Sequence, residues 1–450
     1  NFDFNKDMKF KHTLSVSSLI ICQLFPSFSS AQTLQQAIQR TIDENPQIQT
    51  AKSERSAVEN EISQAKSAYF PTIDIAAGIG WEQSSNPTTR SRTDGTVSYG
   101  REEASIQLKQ MIFDGLATPS EVNRHEARTN ARAYTVYGQS EITALNAVEA
   151  YINVLRRQEL LSLAKDNLLV HQRVNDQIQL RSQRGIGKRA DADQSNGRLA
   201  LAEKNTLSEI GNLKDAETAF LRVIGALPND LQAISAPTEA LPTDLEIAIE
   251  QALANHPILK SANADIDSAF AQHQTARAAY MPRLDFEASA SHNVDLDGIK
   301  GKNEDASAML RLRYNLFNGG KDLARRKETS QLINQAKDIR DNTHRQVVES
   351  MRLSWVAYQT IKSQLNFFKT HQDSSIKSNA AYQKQFNIGQ RTLLDLLDSA
   401  NEMFVSKSSY TNAKFDEIFA QYRILTSKGA LNNFLGIKLP DEIKTVEEAS

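Results

Sequence analysis

Two stretches of the chain alternate strictly between apolar and polar residues. Ile73, Ile75, Ala77, Ile79 and Trp81 alternate with Thr72, Asp74, Ala76, Gly78 and Gly80, and Ile106, Leu108 and Ile112 follow the same rule across a polar loop. Further on, Leu284, Phe286, Ala288 and Ala290 alternate with Arg283, Asp285, Glu287 and Ser289. Leu310, Leu312, Tyr314 and Leu316 then alternate with Arg311, Arg313 and Asn315. Period two with one apolar face is the signature of a half-buried strand. The pattern predicts one hairpin over 72–113 and a second over 283–317. After each hairpin the period becomes helical: Ile142, Leu145, Val148, Ile152 and Leu155 are spaced 3-3-4-3. No proline lies between Pro119 and Pro228, or between Pro282 and Pro440. Proline breaks helix interiors, so the gaps admit one helix from about Gly115 to Arg184 and another from about Lys321 to Phe386, each of about 70 residues and roughly 100 Å long at 1.5 Å per residue.

The two halves are copies of one plan. Leu34-Gln-Gln-Ala-Ile matches Leu245-Glu-Ile-Ala-Ile, Pro46 matches Pro257, and Ala68-Tyr-Phe-Pro71 matches Ala279-Tyr-Met-Pro282, all at one offset. At slightly shorter offsets, Ile112-Phe-Asp-Gly115 matches Leu316-Phe-Asn-Gly319, and Ile186-Gly-Lys-Arg189 matches Ile388-Gly-Gln-Arg391. Ordered matches with slowly drifting offsets indicate duplication. The expected organisation is an upstream extension and leader over 1–31, a first repeat over 32–227 and a linker over 228–244. A second repeat over 245–427 and a tail over 428–450 complete it. Each repeat opens on an expected capping box, Thr33…Gln36 and Thr243…Glu246. Gly187 and Gly389 are expected to turn the long helices back on themselves, although a simple helix end gives the same signal.

Composition narrows the partners. With 52 basic and 54 acidic residues, a net charge of −2 and no basic cluster, nothing calls for nucleic acid. Hydrophobic residues make up 40%, and no apolar run of 18 residues occurs, so helical membrane spanning is excluded. Met8, the basic Lys9 and Lys11, the apolar Leu14 to Phe25 and Ser29-Ser-Ala31 read as an export leader. The single cysteine, Cys22, falls inside that leader. No HExxH spacing, Walker A sequence or nucleophilic cysteine is found, and Gly185-Ile-Gly187 follows a helix rather than a strand. No enzyme activity, cofactor or metal is expected.

Rods this long need neighbours along their length. Four strands cannot close a barrel alone, whereas three chains would supply 12. A soluble β-layer on helices would show the same alternation. Periodicity therefore reaches a mainly helical, internally duplicated chain with four strands, built for a symmetric oligomer that is part β-barrel and part helical tube.

The duplicated Asn45-Pro46/His256-Pro257 and Tyr69-Phe-Pro71/Tyr280-Met-Pro282 elements, the Ile112-Phe-Asp-Gly115 and Leu316-Phe-Asn-Gly-Gly320 turns, and Gly389-Gln-Arg-Thr-Leu-Leu-Asp-Leu-Leu-Asp398 together resemble the TolC-type outer-membrane efflux family. The stretch Phe113-Asp-Gly-Leu-Ala-Thr-Pro-Ser-Glu-Val122 is most similar to its type I protein-secretion members. The resemblance implies a homotrimer with a 12-stranded barrel in outer-membrane lipid and a periplasmic α-barrel of long helical hairpins. It also implies a periplasmic adaptor and an inner-membrane ABC or proton-driven pump as partners. A passive exit duct for secretion or efflux follows; the outer-membrane part of a multidrug pump is the alternative. A periplasmic coiled-coil adaptor or scaffold is more distant.

The resemblance also implies site roles. Asp395 and Asp398, three apart on one helical face, would form a constriction ring whose crowded carboxylates have raised pKa values. Thr392…Asp395 also reads as a plain capping box, and both readings can hold. Arg391 and Asp193 would form a gate latch, in which Phe386 stands where the family usually has a tyrosine. Ordinary surface charge is the plain reading of that pair. Gly187 and Gly389 would mark the tips where an adaptor docks. Trp81 is expected in an interfacial aromatic belt or in a packed sheet. Arg311 and Arg313 are expected to face the lumen if Leu310 and Leu312 face lipid.

Overall fold

Helix starts follow the local chemistry of their first residues. Thr33 and Gln36 cap α1 (Leu34–Glu44) reciprocally, at 3.0 and 3.1 Å. The Asn45 side chain then accepts from Gln47 N, and Pro46 opens α2 (Pro46–Lys66) where a missing N–H costs nothing. In the second half the cap differs from the expected one. Asp244, not Thr243, caps α6 (Leu245–Asn255), accepting from Ile247 N at 2.9 Å. A carboxylate at a helix N-terminus gains from the helix dipole, which a hydroxyl does not. His256 Nδ1 accepts from Ile258 N ahead of α7 (Pro257–Arg277), and burial pushes the ring's pKa down.

This computed structural model describes residues 31–449 apart from Asp94; the leader expected over 1–31 lies outside them but for Ala31. The remaining elements, in order, are β1 (Thr72–Ser84), α3 (Pro87–Thr93), β2 (Val97–Phe113), α4 (Ala117–Gln183), α5 (Arg189–Ile224), β3 (Arg283–Val294), β4 (Lys302–Arg313), α8 (Lys321–Asn387), α9 (Leu393–Ser427), α10 (Leu431–Phe434) and α11 (Val446–Ala449). Helices α4 and α8 each run 67 residues, about 100 Å. The returning α5 and α9 lie along their C-terminal halves, and α2, α6 and α7 flank their N-terminal halves.

The main core sits where these helices change partners. Ile38, Ile42, Ile48, Val148, Ile152, Phe220, Ile224 and Leu425 are buried together there. The Tyr151 ring packs against Phe220, and its hydroxyl lies 2.7 Å from the Gln32 carbonyl and 2.8 Å from that of Gln232. It thereby ties the segment just ahead of α1 to the linker. Ile142, the first residue of the apolar stripe read from the sequence, is exposed in the single chain.

The same region carries an acid that folding holds out of water. Glu141 is 2% exposed, and its carboxylate accepts from Leu431 N and Asn432 N at 3.0 and 3.1 Å, fastening the C-terminal segment to α4. Burial outweighs those bonds and pushes its pKa up to about 7. A carboxyl whose folded pKa exceeds its unfolded one favours folding below the unfolded value and loses that advantage as pH rises to the folded one. Stability will therefore fall by about 3 kcal/mol between pH 4.5 and 7 through this residue. Urea midpoints across that window will show the fall, and Glu141→Gln will flatten it; an unchanged slope in the variant would contradict the assignment.

The four strands form one antiparallel sheet in the order β1-β2-β3-β4. The first hairpin spans 72–113 as expected. The second is shorter: β4 stops at Arg313, so Tyr314 and Leu316 lie beyond the sheet. The Asn315 side chain accepts from Phe317 N, and Gly319 and Gly320 take positive φ, which turns the chain into α8. At the matching corner of the first half, Asp114 accepts from Ala117 N and Thr118 N. Gly115 is required there, since a Cβ would lie 2.5 Å from that of Met281 at a φ of 72°.

Candidate functional site

Register divides the sheet into two faces. Ile75, Ile106, Ala290 and Ala306 form one row across all four strands, and Ile73, Leu108, Ala288 and Ala308 form the next. The face they share also carries Leu284, Phe286, Leu310 and Leu312, and it lies open: Ile75 is 78% and Leu310 67% exposed. At Ala104–His292–Glu304 the face turns polar. An uncovered apolar band of this kind, on the order of 20 Å tall, matches the lipid-facing surface of a barrel. Trp81 lies on this face opposite Gly100, beyond the band's polar end. Exposed Tyr69, Phe70, Tyr280, Tyr314 and Phe317 cluster by the helix end of the sheet. Their motifs are visible in the sequence, but the shared level is set only by the fold.

The opposite face is charged and internally paired. Arg311 bonds Glu287 at 2.7 Å, and Arg313 bonds Asp285 at 2.8 Å and Glu287 at 2.6 Å. Arg283 joins them through Asp285 at 3.0 Å, and Asp285 is fully buried beneath this ladder. Arg311 and Arg313 thus point away from Leu310 and Leu312. Both outer strands, β1 and β4, lack a second neighbour among the described residues. Open edges of this kind invite pairing with another chain.

At the far end of the rods, the α4–α5 and α8–α9 turns make the tips. Gly389 takes a φ of 78°, but in the first turn the left-handed residue is Gly185. Gly187 is needed for another reason: its N–H reaches the Arg181 carbonyl, and a Cβ would lie 3.1–3.2 Å from residues 181 and 182.

The acidic pair sits just after the second turn. Asp395 completes a capping box with Thr392. The Thr392 hydroxyl, then its backbone N–H, hold the Asp395 carboxyl below the usual range. Within one chain this is opposite in sign to the raised value that crowding in a ring implies. Asp398 is not free either, because Arg198 on α5 bonds it at 2.7 Å. Sequence reasoning missed Arg198, which no local pattern links to Asp398.

The latch residues are not joined within the chain. The Arg391 guanidinium stacks 4.3 Å from the Tyr382 ring centre, donates to Gln385 at 3.0 Å and lies 3.9 Å from Asp395. Asp193 is exposed on α5, with no ion pair among the described residues. Phe386 packs in a tip core with Val174, Ile178, Ala192, Leu393, Leu396 and Leu397. It stitches the two helical hairpins together, and Tyr382, one turn earlier, is the aromatic that meets Arg391.

No helix among the described residues is long and apolar enough to cross a membrane, so the sheet is what can meet lipid. The outer membrane efflux protein profile matches residues 37–226 and again 248–436. The chain belongs to the outer membrane efflux protein family. It is 25% identical to outer membrane efflux protein BepC of Brucella suis, over 89% of this chain and 86% of that one. It is 24% identical to outer membrane protein TolC of Escherichia coli, over 91% and 84%. It is 23% identical to alkaline protease secretion protein AprF of Pseudomonas aeruginosa, over 87% and 83%. Its fold is similar to the Campylobacter jejuni CmeC outer membrane channel, with a TM-score of 0.76 at 16% identity over 92% of this chain and 88% of that one. The outer-membrane channel OprN scores 0.75 at 16% identity, over 88% and 90%. An efflux-family protein of this fold is an outer-membrane exit duct, and the sheet and rods are its wall.

Proposed function

We infer that three copies of this chain close a 12-stranded barrel in the outer membrane and a helical tube beneath it, forming a passive duct for secretion or efflux. One observation carries the reading: a sheet with an uncovered apolar face, a charged opposite face and two open edges stands on rods about 100 Å long. Lipid would cover the first face, water the second and neighbouring copies the edges. The chain holds no nucleotide loop, so the driving energy is assigned to an inner-membrane ABC or proton-driven pump, joined through a periplasmic adaptor at the tips near Gly187 and Gly389. The Phe113–Val122 stretch, together with a protease-secretion relative, favours type I secretion over drug efflux.

Asp395 and Asp398 are assigned to a ring near the axis at the tip. Six carboxylates there would concentrate cations, with Arg198 offsetting half of them. Trimers in planar bilayers will be blocked by a multivalent cation such as hexamminecobalt, and Asp395→Ala/Asp398→Ala will weaken block at least tenfold. Unchanged block would remove the ring from the account.

A further inference from the structure

A cleft of about 510 Å³ opens where α4 begins, α7 ends and α8 makes its first turns. Its position is set by the corners of both halves: Gly115 lies two residues after β2, and Met281 two before β3. Leu116, Tyr280 and Met281 line it and are all exposed. Arg277 from α7 and Arg326 from α8 converge on the same space. Neither forms an ion pair among the described residues; Arg277 makes only a 3.3 Å bond to the Gln274 amide. The contrast with the charged face of the sheet is sharp, since Arg283, Arg311 and Arg313 each have a carboxylate there. Among the described residues, these two guanidiniums without a carboxylate, beside three exposed apolar side chains, have no partner that satisfies both.

We propose that this cleft binds the headgroup of an anionic phospholipid from the periplasm-facing leaflet. The inference rests on the barrel reading above, which puts this level at the membrane boundary, continuous with the apolar face. A phosphodiester accepts several charge-assisted bonds, and guanidinium forks match its oxygens. Leu116, Tyr280 and Met281 then meet the glycerol and upper acyl carbons, which a free phosphate ion lacks. Basic groups near an anionic bilayer surface strengthen binding by about fivefold each, so two give roughly 25-fold.

The test uses the full trimer in nanodiscs of phosphatidylcholine doped with phosphatidylglycerol, with retained lipids counted by native mass spectrometry. The wild type will retain phosphatidylglycerol over phosphatidylcholine by about 25-fold. Arg277→Gln/Arg326→Gln will lose the preference, and Arg326→Glu will at least abolish it, with heat-resistant trimers showing that each variant is folded. A preference that survives in the double variant overturns the proposal. So does displacement of the lipid by millimolar inorganic phosphate, which would mark a phosphate site and not a lipid one. Failure to insert into pure phosphatidylcholine would instead overturn the barrel reading, whereas insertion without headgroup preference overturns this inference alone.

Discussion

Arginine in place of Ile73 will abolish assembly of the barrel in a bilayer, while arginine in place of Ser289 at a neighbouring level will be tolerated. Ile73 lies in a row with Leu108, Ala288 and Ala308, with apolar rows on both sides of it on the exposed face. An arginine facing lipid near the bilayer midplane costs about 2–4 kcal/mol. A symmetric trimer carries it three times, which reaches the whole net stability of many folded proteins. Ser289 pairs with Gln107 and Ser307 on the charged face, where an added guanidinium meets water. The helical rods lie outside the sheet, so their circular dichroism will be unchanged in both variants. Heat-modifiable trimer bands in membrane fractions will report the contrast. Equal tolerance of both substitutions would mean that the face assignment is wrong and that the sheet packs on protein.

The second large effect is expected at the tip. Arg391→Ser removes the stack on Tyr382, the bond to Gln385 and the approach to Asp395. If Arg391 also reaches Asp193 of a neighbouring copy, the closed trimer loses three charged hydrogen bonds. Each is worth about 1.5–3 kcal/mol when shielded, and less here because the side chain is partly exposed. Even about 1 kcal/mol per copy shifts a two-state tip by more than a hundredfold in population. Single-channel conductance will rise several-fold, Asp193→Ala will do the same, and the double variant will add little to either. Arg391→Lys will be intermediate, because lysine keeps the charge but loses the planar stack and fork. If Arg391→Ser conducts like the parent, the latch does not exist.

Much of this fold is legible in the chain because its signals are periodic and local. Alternation marks both hairpins, and the proline-free gaps, with the glycine turns inside them, mark where α4 and α8 run. The misplaced boundaries have local causes as well: Asp244 outcompetes Thr243 for the cap, and Asn315 with Gly319-Gly320 ends β4 early. The tip was less legible. Its pairings join residues far apart, as with Arg198 and Asp398, and no period records which rods lie side by side. Phe386 illustrates the same limit. Its neighbours Val174, Ile178 and Ala192 come from the other half of the chain, so its burial is a property of packing. Arg277 and Arg326, without an ion pair among the described residues, likewise become informative only once α7 and α8 bring them to one cleft.

In the open duct, three copies line one continuous water-filled path from tip to barrel. The sequence has a single cysteine, Cys22, within the expected leader, so introduced thiols downstream of Ala31 are the only ones there. Single channels of Ser289→Cys and, separately, Asp398→Cys should be recorded while a water-soluble thiol reagent is added. Each of these variants will show three discrete, similar steps in current, and Ile75→Cys on the lipid face will show none. One step, no step, or a response at Ile75→Cys equal to that at Ser289→Cys would contradict a path lined by three copies.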